Sequence, residues 1–463
     1  MMKVAVCVRQ GLDGEINPFD ASAYECALKI PDAEITLLSM GVEKTKDLLL
    51  SLTRLGAKTA ILLSDKAFAG ADTLATAYTL SMAMRKLQPD LVVCGRQTLV
   101  GDTGQTGPML AELAGYELIT NVMSLEVNAE GISAKTREDG EVKAKYPALI
   151  TVERSFNLRF PRLGSKTGRV DIWSASDIEA DLSRCGLIGS PTRVLKTFEN
   201  KSGKRRCRFI EPSMLWWAID DGIKKSKEKI AESGTDCGER LSCVLCVGEA
   251  TKRYAESVCD NIVSVPISDA ETVIQAIGKN CPAAVLFASD AKSKRIAAAV
   301  AAKLSLGLCA DCTKLEAVSD EMIMYRPALS GSLIAKIKSL TRPALATVRT
   351  EEEQSFDIIV GAGFGARDCL EKTKEFADGL GASFAVSRKL VDNGYAPYEA
   401  QVGLTGKTVS PPVYIAIGIS GAVHHIAGIE RSGTIIAINS DKNAPIFDYA
   451  DYGIVADASE IFK

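Results

Sequence analysis

Two glycine-rich segments of the chain have the composition of phosphate-binding loops. The first is Cys94-Gly-Arg-Gln-Thr-Leu-Val-Gly-Asp-Thr-Gly-Gln-Thr-Gly-Pro108, and the second is Gly361-Ala-Gly-Phe-Gly-Ala366. Each lies between a predicted strand and a predicted helix, where backbone N–H groups can approach a phosphate because glycine has no side chain. The first lacks the Lys-Ser/Thr ending of a P-loop, whereas the second fits the G-x-G-x-x-A spacing of dinucleotide-binding turns. The residues alone therefore predict phosphate binding at two places.

The residues after the second segment argue against NAD as its ligand. A nicotinamide site would need an acidic residue at the end of the next strand to hold the ribose 2′-OH. The next predicted strand, Ser383–Val386, ends instead in Ser387 and Arg388. Serine and arginine suit a phosphate or an electron-rich ring better than a ribose diol, so NADP stays open as an alternative.

Two further loops flank the predicted strand Val413–Ile417. Gln401-Val-Gly-Leu-Thr-Gly406 offers glycines and a threonine, and Gly418-Ile-Ser-Gly421 leads into a predicted helix that contains both histidines of the chain. Because a helix N-terminus attracts anions, this pattern predicts a diphosphate site. A histidine on a helix is usually packed and hydrogen-bonded, so the residues alone leave the role of these histidines open.

Thirteen cysteines include two C-x-x-C pairs, Cys243–Cys246 and Cys309–Cys312, which is a spacing that zinc and cluster sites use. Cys243 and Cys246 lie in an apolar predicted strand, Leu241–Val247, where residues i and i+3 face opposite sides. We therefore predict no metal site and expect free thiols in a reducing compartment.

The composition limits the classes of protein to consider. A chain of 463 residues is long enough for two to four domains, and 55 Lys+Arg against 58 Asp+Glu give a net charge of -3. Without a basic excess, nucleic acid is not an expected partner. We find no signal peptide and no apolar run near the roughly 18 residues of a transmembrane segment, so we expect a cytoplasmic location.

Short apolar runs alternate with helical patterns along most of the chain, which predicts an α/β fold with parallel sheets. The pattern is interrupted by a polar stretch and an amphipathic helix, Pro212–Ser233, that we interpret as a linker and docking helix. The expected domains are residues 1–195, a linker region 196–240, and residues 241–350 and 356–463.

These ordered motifs resemble the electron transfer flavoprotein family. Gln401–Lys407, Tyr414–His425 and Ala437–Phe447 are similar to the FAD-binding domain of its α subunit, whereas Ile16–Phe19 and Phe68–Ala75 are similar to its β subunit. The resemblance implies that β and α subunits are fused in one chain. Residues 1–195 and a truncated 241–350 would be adenine nucleotide α-hydrolase-like domains, and 356–463 a doubly wound FAD-binding domain.

The resemblance also implies which residues contact the cofactors. Arg388 and His425 are expected to tune the flavin, because a donor beside the pyrimidine ring stabilises an anionic reduced state. Phe364 and Leu404 replace an arginine and a glutamine of the family. The expected FAD contacts are Ser387, Arg388, Gln401, Val402, Gly403, Leu404, Thr405, Gly406, Ser420, Gly421, Ala422, Val423, His424, His425, Asn439 and Asp457.

The N-terminal loop is expected to bind a second nucleotide, which in the family is AMP or a second FAD. Three glycines in one loop favour the diphosphate of FAD, whereas Gln105-Thr-Gly107 matches the motif of the AMP-binding members of the family. The expected contacts are Cys7, Val8, Asn17, Pro18, Phe19, Asp20, Met40, Gly95, Gln97, Asp102, Thr103, Gly104, Gln105, Thr106 and Gly107.

The function implied by the resemblance is electron transfer through FAD between dehydrogenases and redox partners. Leu158 and Phe160 are expected to dock an acyl-CoA dehydrogenase or a similar flavoprotein. One alternative is an electron-bifurcating flavoprotein that oxidises NADH and reduces a ferredoxin or flavodoxin. Another, from a different class, is a sensor that binds adenine nucleotides without redox chemistry.

Overall fold

The computed structural model describes residues 2–11, 13–199, 204–232, 239–329, 333–349, 356–397, 400–403, 406–407, 409–430 and 432–462. The described parts of 2–198, 239–329 and 333–349 form one compact unit, here called the N-terminal unit. The described parts of 204–232 and 356–462 form the other, here called the C-terminal unit.

The largest sheet of the N-terminal unit is built from nine strands in the order β7-β6-β5-β8-β4-β1-β2-β3-β9. Its strands are β1 (Met2–Cys7), β2 (Ala33–Met40), β3 (Thr59–Leu63), β4 (Leu91–Gly95), β5 (Glu117–Val127), β6 (Gly131–Thr136), β7 (Glu141–Lys145), β8 (Ala148–Val152) and β9 (Arg169–Trp173). All neighbours are parallel except in the β5-β6-β7 meander. The predicted parallel α/β fold is confirmed.

Helices connect these parallel strands and bury the apolar faces of the sheet. They are α1 (Pro18–Leu28), α2 (Thr45–Thr53), α3 (Thr73–Leu87) and α4 (Thr106–Ala114). Asp72 caps α3, since its carboxylate accepts hydrogen bonds of 3.0 Å from the N–H groups of Leu74 and Ala75.

The same unit contains a second parallel sheet, in the order β13-β12-β14-β19-β15. Its elements are β12 (Val244–Val247), α6 (Lys252–Glu256), β13 (Ile262–Val265), α7 (Ala270–Asn280), β14 (Ala284–Ala288), α8 (Ala291–Leu304), β15 (Leu308–Cys312) and β19 (Ala344–Val348). The apolar faces of α4 and α8 share one core, in which Leu110 and Val300 are fully buried. The two α/β halves therefore form one packed body.

A four-stranded sheet joins these two halves. It has the order β10-β18-β17-β16, with β10 (Thr192–Glu199), β16 (Lys314–Val318), β17 (Glu321–Ala328) and β18 (Leu333–Ser339). Since β10 follows the first half and the other strands belong to the second, the sheet ties them together.

The C-terminal unit has a six-stranded parallel sheet in the order β11-β24-β23-β22-β20-β21. Its elements are β11 (Arg208–Phe209), α5 (Leu215–Glu232), β20 (Ile358–Ala362), α9 (Leu370–Gly379), β21 (Ser383–Val386), α10 (Arg388–Asp392), β22 (Val413–Ile417), α11 (Val423–Ile426), β23 (Thr434–Asn439) and β24 (Tyr452–Val455). If β20 to β24 are numbered 1 to 5 along the chain, their order across the sheet is 2-1-3-4-5, which is an arrangement of doubly wound folds.

The segment 204–232, which we interpreted as a linker with a docking helix, is built into this C-terminal sheet. The backbone of Arg208 and Phe209 pairs with β24, and Gly222 lets α5 lie close to Val413 and Thr434. The Arg205 guanidinium forms an ion pair with Asp451 and donates to three backbone carbonyls. These contacts make the segment part of the C-terminal unit.

Candidate nucleotide-binding sites

The C-terminal unit has a crevice at the carboxyl ends of β20 and β22. Connections leave these neighbouring strands toward opposite sides of the sheet, which is where doubly wound folds bind ligands. Gly363 and Gly418 bring the two loops together, since a Cβ on Gly363 would lie 2.1 Å from the Gly418 carbonyl oxygen. The glycines of the second phosphate-loop motif therefore permit two loops to pack closely at this crevice.

The Gln401–Gly403 backbone closes one side of the same edge. Val402 N donates to the Val386 carbonyl at 2.9 Å, and Gly403 N donates to the Lys407 carbonyl at 3.0 Å. Gly403 has φ +140°, and a Cβ there would lie 2.9 Å from the His424 carbonyl oxygen. The loop thus packs against the histidine-containing turn, while Leu404 and Thr405 lie outside the described residues.

His425 is a buried polar side chain near this crevice. It is 7% exposed, and its Nε2 lies 3.2 Å from the hydroxyl oxygen of Tyr414, which is fully buried. Burial lowers the pKa of His425 to about 4, so the imidazole is neutral at pH 7, although the nearby Val402 carbonyl acts in the opposite direction. Among the described residues, no group makes a hydrogen bond of ordinary geometry to its buried Nδ1.

The helix that carries the two histidines is short. It comprises only Val423–Ile426, which is one turn, so a helix dipole is not available to hold a phosphate. Ser420 and Ala422 are exposed beside it, and the Ser420 carbonyl accepts a hydrogen bond of 3.1 Å from Ile446 N. An anion at this position would be held by loop N–H groups instead.

Other predicted contacts lie at the same edge of the sheet, after β21, β23 and β24. Arg388 forms an ion pair of 3.0 Å with Asp392 on the exposed side of α10. The Asn439 amide donates to the Ile419 carbonyl at 2.9 Å, so it holds the loop that follows β22. Asp457 caps a 3₁₀ turn that begins at Ala458. Arg388 and Asp457 thus contact residues of their own elements, whereas Asn439 connects the end of β23 to the loop after β22.

The N-terminal unit has a cavity of about 380 Å³ at the carboxyl ends of β1, β2 and β4. The strand order β3-β2-β1-β4 places a topological switch point between β1 and β4, at the mouth of the glycine-rich loop. The predicted contacts that line the cavity are Cys7, Val8, Asp20, Met40, Gly95, Gln97, Thr103, Gly104, Thr106 and Gly107. Ten of the fifteen expected contacts therefore lie in the lining of one pocket.

Several predicted contacts of this pocket support its walls instead of lining them. The Asn17 amide donates to the Gln97 carbonyl at 3.0 Å, and the Asp102 carboxylate accepts from the Gln97 amide at 2.7 Å. Phe19 is fully buried, and Gln105 is 1% exposed at the residue before α4. Pro18 is likewise absent from the lining and begins α1.

Two arginines that were not predicted from the sequence, Arg9 and Arg96, also line the cavity. Arg96 forms an ion pair of 3.0 Å with the fully buried Glu153, which also lies 3.6 Å from Arg137. Arg9 and Arg96 directly follow the predicted contacts Val8 and Gly95 at the ends of strands, and this position could have identified them from the sequence. Two guanidinium groups give the pocket the charge that a phosphate requires.

A buried carboxyl group also faces this pocket. Asp20 accepts a hydrogen bond of 2.8 Å from Arg9 N, and burial raises its pKa to about 7. The loop is further held from the second half of the unit, where the Arg326 guanidinium donates to the Asp102 carbonyl at 2.8 Å.

The structure separates the two expected docking residues. Leu158 packs against the core, whereas Phe160 is 92% exposed. Leu163, which we did not predict, is fully exposed three residues further on. The bidentate contact of Arg159 with Glu25 fixes the base of this segment.

The described part of the chain contains no cluster of three or more His, Cys, Asp or Glu side chains arranged to hold a metal. Cys309 and Cys312 nonetheless approach each other, because a bulge with Asp311 at φ +61° turns both into one core.

Among the described helices, none combines the length and apolar character needed to cross a bilayer.

The fold is that of an α/β protein with several parallel sheets. Two family models match the chain: the electron transfer flavoprotein domain at residues 4–178 and 229–361, and the electron transfer flavoprotein FAD-binding domain at residues 352–430.

Curated relatives agree with these matches. Electron transfer flavoprotein subunit beta of Clostridium acetobutylicum is 40% identical over 203 residues, which cover 41% of this chain and 78% of that relative. Subunit alpha of Thermoanaerobacterium thermosaccharolyticum is 37% identical over 226 residues, which cover 39% of this chain and 68% of that relative. Protein FixB of Rhizobium meliloti is 38% identical over 226 residues, which cover 39% of this chain and 64% of that relative. The chain belongs to the electron transfer flavoprotein family and combines β-like and α-like parts.

Proposed function

We propose that this protein is a single-chain electron carrier that binds FAD in its C-terminal unit and an adenine nucleotide in its N-terminal unit. The observation that carries the proposal is the crevice between β20 and β22, where Gly363 and Gly418 bring two loops together at the carboxyl ends of neighbouring parallel strands. Glycines at such a point let backbone N–H groups approach a phosphate. The residues present therefore fit a flavin nucleotide.

The chain's own groups have distinct tasks in this proposal. Gly363 and Gly418 allow loop N–H groups to approach a diphosphate, and the Gln401–Gly403 backbone closes the side of the crevice. His425, neutral at pH 7, would direct a ring nitrogen at the flavin, while Arg388 would supply positive charge from the end of β21. FAD when bound exchanges electrons singly or in pairs.

The second site is proposed to hold an adenine nucleotide, either AMP or the adenylate half of a second FAD. Arg9 and Arg96 provide charge for phosphate, and Gly104 and Gly107 expose the loop backbone to the cavity. A cavity of about 380 Å³ lies toward the small end of ligand pockets, so a dinucleotide would extend beyond it.

The decisive experiment is to denature the purified protein and quantify FAD and AMP against protein. One FAD with one AMP per chain supports the electron carrier. Two FAD per chain, together with flavin reduction by NADH, would support the bifurcating alternative and its ferredoxin or flavodoxin partner. A protein that cannot be reconstituted with FAD would contradict the proposed function and leave the adenine-nucleotide sensor.

We further propose that the segment containing Phe160 docks the redox partner, for which an acyl-CoA dehydrogenase or similar flavoprotein is the candidate. Phe160 and Leu163 expose apolar side chains next to the rigid Arg159–Glu25 contact, and apolar anchors of this kind dominate binding energy at interfaces. Leu158 is expected to support the segment by packing.

A substitution series tests this docking surface. Phe160→Ser with Leu163→Ser should lower the rate of electron delivery at subsaturating partner without changing the flavin spectrum. Val42→Ser, which alters an apolar side chain 69% exposed elsewhere on the N-terminal unit, is the matched control. Equal rates in all variants would contradict the assignment of this segment.

A further inference from the structure

A buried arginine from the second half of the N-terminal unit contacts the glycine-rich loop of the first half. Arg326 lies in β17 and is 6% exposed, and its guanidinium donates to the Asp102 carbonyl at 2.8 Å. Just beyond the same strand, Leu329 N donates to the Val100 carbonyl at 3.4 Å. The end of β17 therefore holds the loop at two points.

The burial of Arg326 is by itself unfavourable for folding. Among the described residues, no carboxylate forms an ion pair with its guanidinium, and its buried Nε has no hydrogen-bond partner. A charge that leaves water without such partners lowers the stability of the folded state. We therefore look for the role of Arg326 in the loop to which it donates.

The residue that accepts this hydrogen bond has an uncommon backbone conformation. Asp102 has φ +51°, in the left-handed region, where a residue other than glycine stays only if its surroundings hold it. The Gln97 amide holds the Asp102 carboxylate at 2.7 Å, and the Arg326 guanidinium holds the carbonyl. Burial raises the pKa of Asp102, and Arg326 is the first of the charges that oppose this effect, so the guanidinium also favours the carboxylate form.

The Asp102 carbonyl shares a peptide plane with the Thr103 N–H. In a trans peptide these two groups point in opposite directions, so the hydrogen bond from Arg326 to the carbonyl directs the Thr103 N–H to the other side. No described residue accepts a hydrogen bond from this N–H, and Thr103 lies in the lining of the cavity. A backbone donor is therefore available to a phosphate in the pocket, and Arg326 fixes its direction.

We propose that Arg326 is a positioning residue that sets the affinity of the N-terminal pocket for an adenine nucleotide by orienting the peptide bond between Asp102 and Thr103. The inference rests on the proposed second nucleotide site and deepens it. The side chains and loops that line the pocket come from the first half of the unit. The affinity of the pocket therefore depends on a side chain from outside its own lining.

Arg326→Met in the full-length protein tests this assignment. Methionine occupies similar space but has neither the charge nor the N–H groups of arginine. After bound nucleotide has been removed, calorimetric titration with AMP should show an affinity about tenfold lower than that of wild-type protein. This is the effect expected when one hydrogen bond to a charged group is lost. An unchanged AMP affinity would overturn the proposal.

Arg295→Met is the matched control. Arg295 of α8 also connects the two halves, because its guanidinium donates to the Asp139 carboxylate at 2.7 Å and to the Thr120 hydroxyl at 3.0 Å. Neither acceptor lines the cavity. We expect this variant to bind AMP as wild-type protein does. Equal losses of affinity in the two variants would mean that Arg326 does no more than join the halves, and the positioning role would be wrong.

Hydrogen exchange in the nucleotide-free protein gives a second readout that needs no ligand. The Asp102 N–H donates to the Thr98 carbonyl at 2.8 Å, and this turn is the part of the loop that Arg326 holds. Arg326→Met should speed the exchange of the Asp102 amide about tenfold and leave the amides of α4 unchanged, because opening the turn then breaks one hydrogen bond fewer. Exchange at Asp102 equal to that of wild-type protein would contradict the assignment.

The outcomes separate this inference from the proposed function. If wild-type protein binds no AMP, the second nucleotide site fails, whereas the exchange of the Asp102 amide still decides whether Arg326 positions the loop. If Arg326→Met binds AMP as tightly as wild-type protein, the inference fails and the nucleotide site stands. If this variant does not fold, Arg326→Gln is judged by the same two measurements.

Discussion

The buried imidazole of His425 should make the stability of the protein depend on pH in a defined direction. Its pKa is about 4 in the folded protein and about 6.5 in an unfolded chain. The unfolded state therefore binds a proton between these values that the folded state does not, and stability falls as pH falls through this window. From the two pKa values, lowering the pH from 7 to 5 removes about 2 kcal/mol.

The measurement must isolate this histidine, because Asp20 acts in the opposite direction. Its pKa of about 7 means that the folded state takes up a proton and gains a similar amount of stability over the same range. We therefore expect the difference in free energy of unfolding between wild-type protein and His425→Gln to shrink by about 2 kcal/mol from pH 7 to pH 5.

Equilibrium urea unfolding at several pH values, without added nucleotide, gives the required free energies. His424→Gln, at the exposed neighbouring position, controls for the loss of a histidine from the same turn. If the wild-type and His425→Gln free energies run parallel between pH 7 and pH 5, His425 does not titrate as a buried group and the reasoning is refuted.

Three further substitutions test other contacts. Gly361→Ala should destabilise the C-terminal unit by about 2 kcal/mol and displace the Tyr414 hydroxyl, measured by urea unfolding, and a neutral effect would mean the strands can separate. Arg205→Ala should cost about 3 kcal/mol and expose 204–232 to trypsin, because one guanidinium serves three carbonyls and a carboxylate, whereas unchanged cleavage would contradict this anchoring. Asp20→Asn should remove about 2 kcal/mol of the stability gained between pH 7 and pH 5, which parallel pH profiles would disprove.

The sequence determined the local elements and the family. Strands Ser383–Val386 and Val413–Ile417 were predicted with their observed bounds, because they read as continuous apolar runs between turn residues. The ordered glycine motifs indicated an electron transfer flavoprotein, which the family matches confirm. The residues that were expected to contact the nucleotides stay predictions.

Tertiary structure decided what depends on distant segments. The strand Arg208–Phe209 has two residues, which is too short for any periodicity, so only pairing with β24 shows that 204–232 joins the C-terminal unit. The histidine helix has one turn, and Gly428, two residues beyond it, packs against the backbone of Gly403. Arg96 meets its buried partner Glu153 only when β4 pairs with β8, and the Tyr414 hydroxyl finds space only beside Gly361. Such contacts depend on strand order and on the space that a neighbouring strand leaves. Neither can be predicted from the local pattern of residues.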